Sequence, residues 1–205
     1  MDLLLASGSP RRMQLLEQLG LRAEKISSDI DETPLPDELA QAYTERMAWQ
    51  KSEQALHLYQ NQHQGLLPDI PVLTADTSVA IDGQILGKPK DRNDAINMLK
   101  QLSGREHQVI SAVVVWHQHQ RHLATQISHV RFQELQDADI ISYVNSGEAD
   151  DKAGSYGIQG LAAMFIEHLQ GSFSGVMGLP LYETHQLLCH CGLNALTRAC
   201  DQSVL

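Results

Sequence analysis

A phosphate-binding loop is one chemistry that the N-terminus can support. The stretch Ser7-Gly8-Ser9-Pro10-Arg11-Arg12 follows an apolar run and precedes leucines at helical spacing. Because a helix N-terminus presents unpaired backbone N–H groups and a positive dipole end, serine hydroxyls and guanidinium groups there suit phosphate oxygens. The stretch lacks the Gly-Lys-Ser/Thr ending of a Walker A loop. A capped helix with two solvated arginines is the alternative, and both interpretations stay open at this point.

A carboxylate inside an apolar strand is the second candidate. Asp76 lies in Thr74-Ala75-Asp76-Thr77, with Val72-Leu73 before it and Val79 after it. Burying a carboxylate is costly unless it is paired, hydrogen-bonded or bound to a metal. Asp76 is therefore the best single candidate for a general base or a metal ligand. The alternative is a structural aspartate satisfied by backbone donors.

An acidic run offers ligands for a cation. Hard cations such as Mg²⁺ bind carboxylates and substrate phosphate oxygens together, and Asp29, Asp31 and Glu32 lie close in sequence. For Asp29 and Asp31 a solvated acidic loop is the favoured interpretation.

Three lysines form a basic group of candidates. Lys51 lies in a predicted helix, Lys88 on a turn between glycine and proline, and Lys152 in a glycine-rich loop. In an acidic protein, lysines at such loops can gather on one anionic ligand. Taken singly, each is better explained as a surface charge.

Two other motifs resemble metal sites without completing one. His117, His119 and His122 cluster at a predicted hairpin tip with no cysteine or carboxylate nearby, which favours a solvated turn. In Cys189-His190-Cys191, residues two apart on a helix do not share a face, which favours ordinary helix packing.

Hydrophobic periodicity predicts alternating strands and helices. Strands are predicted at 3–6, 72–81, 84–86, 109–116, 122–132 and 164–169, with Asp82-Gly83 as a hairpin turn. Helices are predicted at 10–19, 38–59, 92–102, 138–144 and 181–191, with Asp37, Asp91 and Asp137 as N-caps of the second, third and fourth. The glycine-rich segment 147–160 is predicted to be a functional loop. This order favours one α/β domain over 1–205, with a mixed sheet flanked by helices and a disordered tail after about 196.

Composition excludes several classes of protein. The chain has 205 residues, a hydrophobic content of 42%, enough for a core, and a formal net charge of −10, which argues against a nucleic-acid partner. No apolar run reaches the ~20 residues of a membrane helix, so no membrane partner is expected. Three cysteines, an odd and sparse set, indicate reduced thiols and a cytoplasmic location.

A family resemblance extends over nearly the whole chain. The stretches that carry it are Leu5-Ala6-Ser7-Gly8-Ser9-Pro10-Arg11-Arg12, Asp31-Glu32, Ala75-Asp76-Thr77, Gly87-Lys88-Pro89, Ser103-Gly104, Ser146-Gly147-Glu148, Asp151-Lys152-Ala153-Gly154, Tyr156-Gly157-Ile158-Gln159-Gly160 and Gly178-Leu179-Pro180. In this order they resemble the Maf family of nucleoside triphosphate pyrophosphatases. The resemblance implies a Maf/ITPase-like α/β fold with two lobes around a deep nucleotide-binding cleft, and a homodimer.

The resemblance also implies a reaction and roles for individual residues. The substrate is a nucleoside triphosphate, cleaved between the α- and β-phosphates with a divalent metal cation, Mg²⁺ or Mn²⁺, as cofactor. Asp76 falls at the proton-acceptor position, and Glu32 and Asp76 at acidic positions suited to the metal. Arg12, Thr77 and Gln159 fall at base-selecting positions, in the combination of the branch that acts on dTTP and UTP. The other polar positions that line the cleft are Ser7, Arg11, Lys51, Lys88 and Lys152.

Two departures from the family pattern bear on rate and substrate range. Glu148-Ala149-Asp150-Asp151 replaces a common Glu-Pro arrangement, which loosens that loop and adds a negative charge. Phe173 and Gly175 replace a tyrosine and a larger residue before Gly178. Two alternative functions stay open: a non-catalytic nucleotide sensor in division or septum control, and a house-cleaning enzyme for modified nucleotides.

Overall fold

The computed structural model describes residues 1–197, so the predicted tail falls almost entirely outside the described residues. Its strands are β1 Leu3–Ala6, β2 Ala23–Ile26, β3 Val72–Ile81, β4 Gln84–Leu86, β5 Glu106–His117, β6 Gln120–Phe132 and β7 Ile166–Gln170. Its α-helices are α1 Pro10–Gln18, α2 Ala40–Gln62, α3 Arg92–Leu102, α4 Asp137–Asn145, α5 Phe173–Val176 and α6 Leu181–His190. Two short 3₁₀ helices cover Ala153–Ser155 and Leu161–Phe165. No helix within residues 1–197 is long and apolar enough to cross a membrane.

The strands form one mixed sheet, which confirms the predicted fold class. The strand order is β2-β1-β3-β5-β6-β7, and β4 pairs with β3 beside this path. β1 pairs in parallel with both β2 and β3, whereas the remaining pairs are antiparallel. The parallel pairs require crossovers, and α1 and α2 supply them.

β1 is buried on both faces, as its unbroken apolar sequence predicts. Leu4 packs in a cluster with Leu56 of α2, while Leu3 and Leu5 pack on the other face with Leu15 of α1. Helices therefore cover both faces of the sheet at β1. This burial fixes the end of β1, and with it the loop that leads into α1.

The hydrophobic core divides into two large clusters. One contains Val79 and Leu86 of the β3–β4 hairpin together with Tyr156, and the other contains Ile158 and Met177. Residues of both clusters line the same cavity, which therefore lies between them. This arrangement agrees with the expected two lobes around a cleft.

Several boundaries agree with the sequence prediction, and two predicted caps are wrong. β3, β4 and α3 have the predicted bounds, and the Asp91 side chain caps α3 by accepting a hydrogen bond from the Asp94 N–H at 2.9 Å. Asp37 is not the N-cap of α2, because its φ of 56° puts it in a turn and Leu39 takes the cap position. Asp137 lies inside α4, because the extended residue before that helix is Gln136.

Besides the two 3₁₀ helices, two short elements, one strand and one α-helix, were not predicted. β2 has only four residues, with charged Glu24 and Lys25 exposed in its middle, so its sequence gives no apolar pattern. Parallel pairing with β1 holds it in place. α5 covers four residues, and its N-cap Ser172 accepts a hydrogen bond from the Gly175 N–H at 2.9 Å.

Candidate active site

One cavity of about 980 Å³ is lined by all ten residues that the sequence analysis assigned to the site, and Asp31 is not among the residues that line it. Its volume is at the upper end of the range for small-molecule sites. The predicted residues on its wall are Ser7, Arg11, Arg12, Glu32, Lys51, Asp76, Thr77, Lys88, Lys152 and Gln159. They come from six separate parts of the chain, which the fold brings together.

The topology of β3 explains why Asp76 reaches this cavity. β1 pairs with β3 only as far as Ala6 opposite Thr74, whereas β3 continues to Ile81. Asp76 and Thr77 therefore lie just beyond the end of the parallel partner, beside the loop that connects β1 to α1. Ligands of α/β sheets commonly bind beyond the carboxyl ends of parallel strands.

Lys51 joins the two carboxylates that were predicted to bind metal. Its Nζ lies 2.6 Å from Asp76 Oδ1 and 2.6 Å from Glu32 Oε1. Only 12% of the Lys51 side chain and 11% of the Asp76 side chain are exposed, compared with 46% for Glu32. Burial opposes ionisation of Glu32, but the hydrogen bond from Lys51, together with the positive charges of Lys51, Lys88 and Arg12, outweighs it and lowers the pKa of Glu32.

The placement of Lys51 follows from the pattern of α2. Buried positions on α2 include Met47, Ala48, Ser52 and Ala55, at helical spacing against the sheet. Lys51 falls within this inward stripe, where a charge requires a partner. A lysine at an inward position of a helix therefore indicates a functional group or a member of an ion pair.

Arg12 builds the wall opposite Asp76 and is held on all three of its nitrogens. Nε donates to Gly178 O at 2.7 Å, Nη1 to Ser7 Oγ at 3.0 Å and Nη2 to Thr77 Oγ1 at 3.3 Å. Desolvation by burial lowers its pKa, although the Asp76 charge opposes that change. Arg12 therefore connects the loop after β1, strand β3 and the turn before α6.

The Ser7 hydroxyl keeps its proton available for a ligand. Its oxygen accepts hydrogen bonds from the Ser9 N–H at 3.2 Å and from Arg12. A hydroxyl has two acceptor lone pairs and one O–H donor, and no hydrogen bond donated by Ser7 is found within residues 1–197, so the O–H can donate to a ligand in the cavity. This geometry suits an anionic oxygen near the N-terminus of α1.

Lys152 and Gln159 lie on the glycine-rich segment. Lys152 Nζ contacts Asp151 Oδ1 and the Glu148 carbonyl oxygen, each at 2.6 Å. Gln159 is exposed on the cavity wall, between Gly157 and Gly160.

The charges on the cavity wall are balanced. Its cationic side chains are Arg11, Arg12, Lys51, Lys88 and Lys152, and its carboxylates are Asp29, Glu32, Asp76, Glu148 and Asp151. Within residues 1–197, no side-chain hydrogen bond or ion pair involves Arg11 or Lys88. These two cations are available to an anionic ligand without loss of an existing contact.

Several residues on or behind the wall were missed by sequence reasoning. Tyr43 lines the cavity, and its hydroxyl donates to Glu32 O at 2.9 Å, which holds the acidic loop against α2. Ser111 of β5 shares a hydrogen bond of 2.7 Å with Thr77. Glu148 also lines the cavity. Tyr43 falls eight residues before Lys51, on the same side of α2, and this spacing was the available signal.

The fold and the cavity define an α/β protein with a deep, mixed-charge site that suits an anionic small molecule. Residues 2–191 match the family model described as Maf-like protein, so the chain belongs to the Maf family.

Named relatives agree with this assignment. A dTTP/UTP pyrophosphatase of Chromobacterium violaceum is 51% identical over 188 residues, covering 92% of this chain and 93% of that protein. A dTTP/UTP pyrophosphatase of Pasteurella multocida is 51% identical over 185 residues, covering 90% and 92%. A nucleoside triphosphate pyrophosphatase of Haemophilus ducreyi is 48% identical over 196 residues, covering 95% and 97%. The structure of the Staphylococcus aureus Ham1 protein covers 64% of this chain and 72% of its own, at 14% identity and a TM-score of 0.44.

Proposed function

We propose that this protein hydrolyses dTTP and UTP to the nucleoside monophosphate and diphosphate. The observation that carries the proposal is the convergence of ten predicted site residues on one cavity, with Asp76 beside the cationic groups. Relatives at 51% identity that cover most of the chain are named dTTP/UTP pyrophosphatase, which supports the same substrates here.

The charge of the substrate sets the first requirement of the reaction. A nucleoside triphosphate carries about four negative charges, which must be offset before water can attack phosphorus. Arg11 and Lys88 make no side-chain hydrogen bond or ion pair with the described residues, so they can bind the triphosphate without breaking one. The Ser7 O–H and the N-terminus of α1 add neutral donors.

Asp76 would act on the attacking water or on the metal that activates it. Its Oδ1 accepts from Lys51, while no hydrogen bond to Oδ2 is found within residues 1–197. A free carboxylate oxygen at a cavity wall suits proton transfer from water or coordination. General base catalysis contributes roughly 10²–10⁴-fold, so charge stabilisation and positioning must supply the rest of the acceleration.

Glu32 and Asp76 fit a divalent metal site of the two-carboxylate kind. Both reach the same point, the Lys51 Nζ, so a cation near that point can contact both carboxylates once the lysine moves. No group of three or more His, Cys, Asp or Glu side chains suited to a metal occurs within residues 1–197. Substrate phosphates and water would complete the ligand set, as is usual for Mg²⁺. Bound Mg²⁺ or Mn²⁺ supplies positive charge that polarises the phosphates.

Base selection falls to Gln159, with Thr77 and Arg12 behind it. The Gln159 amide has both donor and acceptor groups, which suits the O and N–H edge of a pyrimidine. The hydrogen bonds of Arg12 to Ser7, Thr77 and Gly178 favour a role in shaping the wall of the pocket. We further propose that the protein forms a homodimer, which light scattering on the purified protein would test. We also propose a cytoplasmic location, which cell fractionation would test.

Asp76→Asn is the experiment that tests this function. The variant should lose turnover by at least 10²-fold while it still binds nucleotide, because the amide cannot accept a proton as the carboxylate does. The assay follows pyrophosphate and orthophosphate release from a panel of nucleoside triphosphates and modified analogues, with Mg²⁺ or Mn²⁺. Asp69→Asn, at an exposed position before β3, is the matched control. Retained turnover in Asp76→Asn would remove Asp76 from the mechanism, and nucleotide binding without release by the wild type would favour a sensor.

A further inference from the structure

Glu148 is a cavity-wall carboxylate whose contacts are made with neutral donors. Its Oε2 accepts from the Leu161 N–H at 2.8 Å, and its Oε1 accepts from the Tyr143 hydroxyl at 3.1 Å. A longer contact of 3.5 Å joins Oε1 to the Ala162 N–H. The carboxylate therefore accepts its hydrogen bonds from the segment that follows Gln159 and from helix α4.

Two glycines make this packing possible. A Cβ on Gly160 would lie 2.2 Å from Glu148 Oε2, and a Cβ on Gly157 would lie 2.8 Å from Lys152 Cε. Real Cβ atoms do not approach other atoms so closely, so both positions require glycine while Glu148 and Lys152 stay where they are. Gln159 lies between these glycines, so the backbone on both sides of it packs against the Glu148 carboxylate and the Lys152 stem.

Glu148 also holds Lys152. The Glu148 carbonyl oxygen accepts from Lys152 Nζ at 2.6 Å, so the backbone and the side chain of one residue fix two parts of the wall. Tyr143 is buried behind it, and its pKa is raised by that burial and by the nearby Glu148 charge. A tyrosine that stays protonated remains a hydrogen-bond donor to the carboxylate.

We propose that Glu148 is a positioning residue for substrate selection, which sets the loop of Gln159 against the cavity. This inference rests on the proposed hydrolysis of dTTP and UTP. Within residues 1–197, Glu148 makes no hydrogen bond or ion pair with Asp76, Lys51 or Glu32, so its effect is separable from the reacting end of the site. Loss of the carboxylate should change which base is accepted more than how fast the bound substrate reacts.

Glu148→Gln is the variant that tests this role. The amide keeps the size of the side chain but has only one acceptor oxygen, so it cannot accept from both the Leu161 N–H and the Tyr143 hydroxyl as the carboxylate does. The ratio of kcat/KM for dTTP over dGTP should fall about tenfold, mainly through a higher KM for dTTP, with kcat changed less than about threefold. Glu134→Gln, an exposed glutamate, is the matched control and should leave the ratio unchanged.

A double-mutant cycle separates positioning from general structural support. If Glu148 acts through Gln159, then Glu148→Gln combined with Gln159→Ala should have the same dTTP/dGTP ratio as Gln159→Ala alone. Independent, multiplying losses, or a Glu148→Gln variant that keeps the wild-type ratio, would overturn the proposal. Tyr143→Phe is the second variant if Glu148→Gln does not fold, and it should lower the ratio in the same direction by a smaller factor.

The readouts also distinguish this inference from the proposed function. Wild-type protein that releases no pyrophosphate from any nucleotide would refute the proposed function alone. In that case the ratio of the equilibrium binding constants for dTTP and dGTP takes the place of the kinetic ratio. It is measured for wild type, Glu148→Gln and the double variant. A binding ratio that Glu148→Gln leaves unchanged would then refute the positioning role.

Discussion

Replacement of Lys51 by methionine tests the charge balance at the reacting end of the cavity. Methionine keeps most of the apolar stem but removes the ammonium that bridges Glu32 and Asp76. Two oxygens that each lie 2.6 Å from one nitrogen are at most about 5 Å apart, so the change leaves two carboxylates close together. At an effective dielectric constant of about 20, unit charges at about 5 Å repel by about 3 kcal/mol.

Solvent reduces this figure. The Glu32 side chain is 46% exposed, so water screens part of the repulsion, and the expected loss of unfolding free energy is about 1–2 kcal/mol. The same repulsion favours a bound cation. Because 1.4 kcal/mol corresponds to a tenfold change in binding constant, Lys51→Met should bind Mn²⁺ about tenfold more tightly than the wild type does without nucleotide.

Two measurements check this prediction. Thermal unfolding with and without MgCl₂ or MnCl₂ should show a lower midpoint for Lys51→Met alone and a larger rise on metal addition than for the wild type. Electron paramagnetic resonance of free Mn²⁺ gives the dissociation constant directly. Lys25→Met, an exposed lysine on β2, is the control. Equal stability and equal Mn²⁺ affinity in wild type and Lys51→Met would refute the idea that the lysine holds the place of the metal.

Three further predictions follow from other contacts. Arg12→Lys should lower the unfolding free energy by about 2 kcal/mol, because one ammonium cannot replace three guanidinium hydrogen bonds. Arg11→Lys should change the unfolding free energy by less than about 0.5 kcal/mol and should raise KM. Denaturant titration and steady-state kinetics compare the two variants. Burial lowers the pKa of His107 to about 4, so the folded state binds fewer protons than the unfolded state between about pH 6.5 and 4. The free energy of unfolding should therefore fall by up to about 3 kcal/mol as the pH falls through that window. His107→Gln should flatten this part of the profile of stability against pH, and His57→Gln, at an exposed position, should not. Tyr43→Phe, which frees the Glu32 carbonyl, should weaken metal-dependent activity about threefold or more with the unfolding midpoint nearly unchanged; equal metal titration curves would contradict it.

The elements with strong local signals were predictable from the sequence. β3 and α3 have the predicted bounds because an apolar run ends at a hairpin turn and a capping aspartate begins a helix. The start of α2 was not predictable in the same way. Glu38 forms an ion pair with Arg46 at 2.6 Å and accepts a hydrogen bond from the Leu35 N–H. These side-chain contacts, and not the Asp37 side chain, hold the turn from which the helix begins.

The site was predictable in membership but not in contacts. Residue types and the family resemblance identify the ten side chains, because most of them lie in short sequence motifs that can be recognised without a structure. Which of them are already paired depends on distances across the fold. Lys51 and Arg12 are both held by other parts of the site, whereas Lys88 makes no side-chain hydrogen bond or ion pair within residues 1–197. No local sequence pattern distinguishes a cationic side chain that is already hydrogen-bonded within the site from one that can bind a ligand.

The pair Asp76 and Thr77 shows how the topology makes the site. Successive strand residues point to opposite faces, and Asp76 contacts Lys51 on the α2 side while Thr77 contacts Arg12 and Ser111 on the other. Both nevertheless line one cavity, because β1 ends at Ala6 and leaves this part of β3 without a partner on that edge. A single strand can therefore deliver a charged group from one face and a specificity group from the other, provided that its neighbour stops two residues earlier.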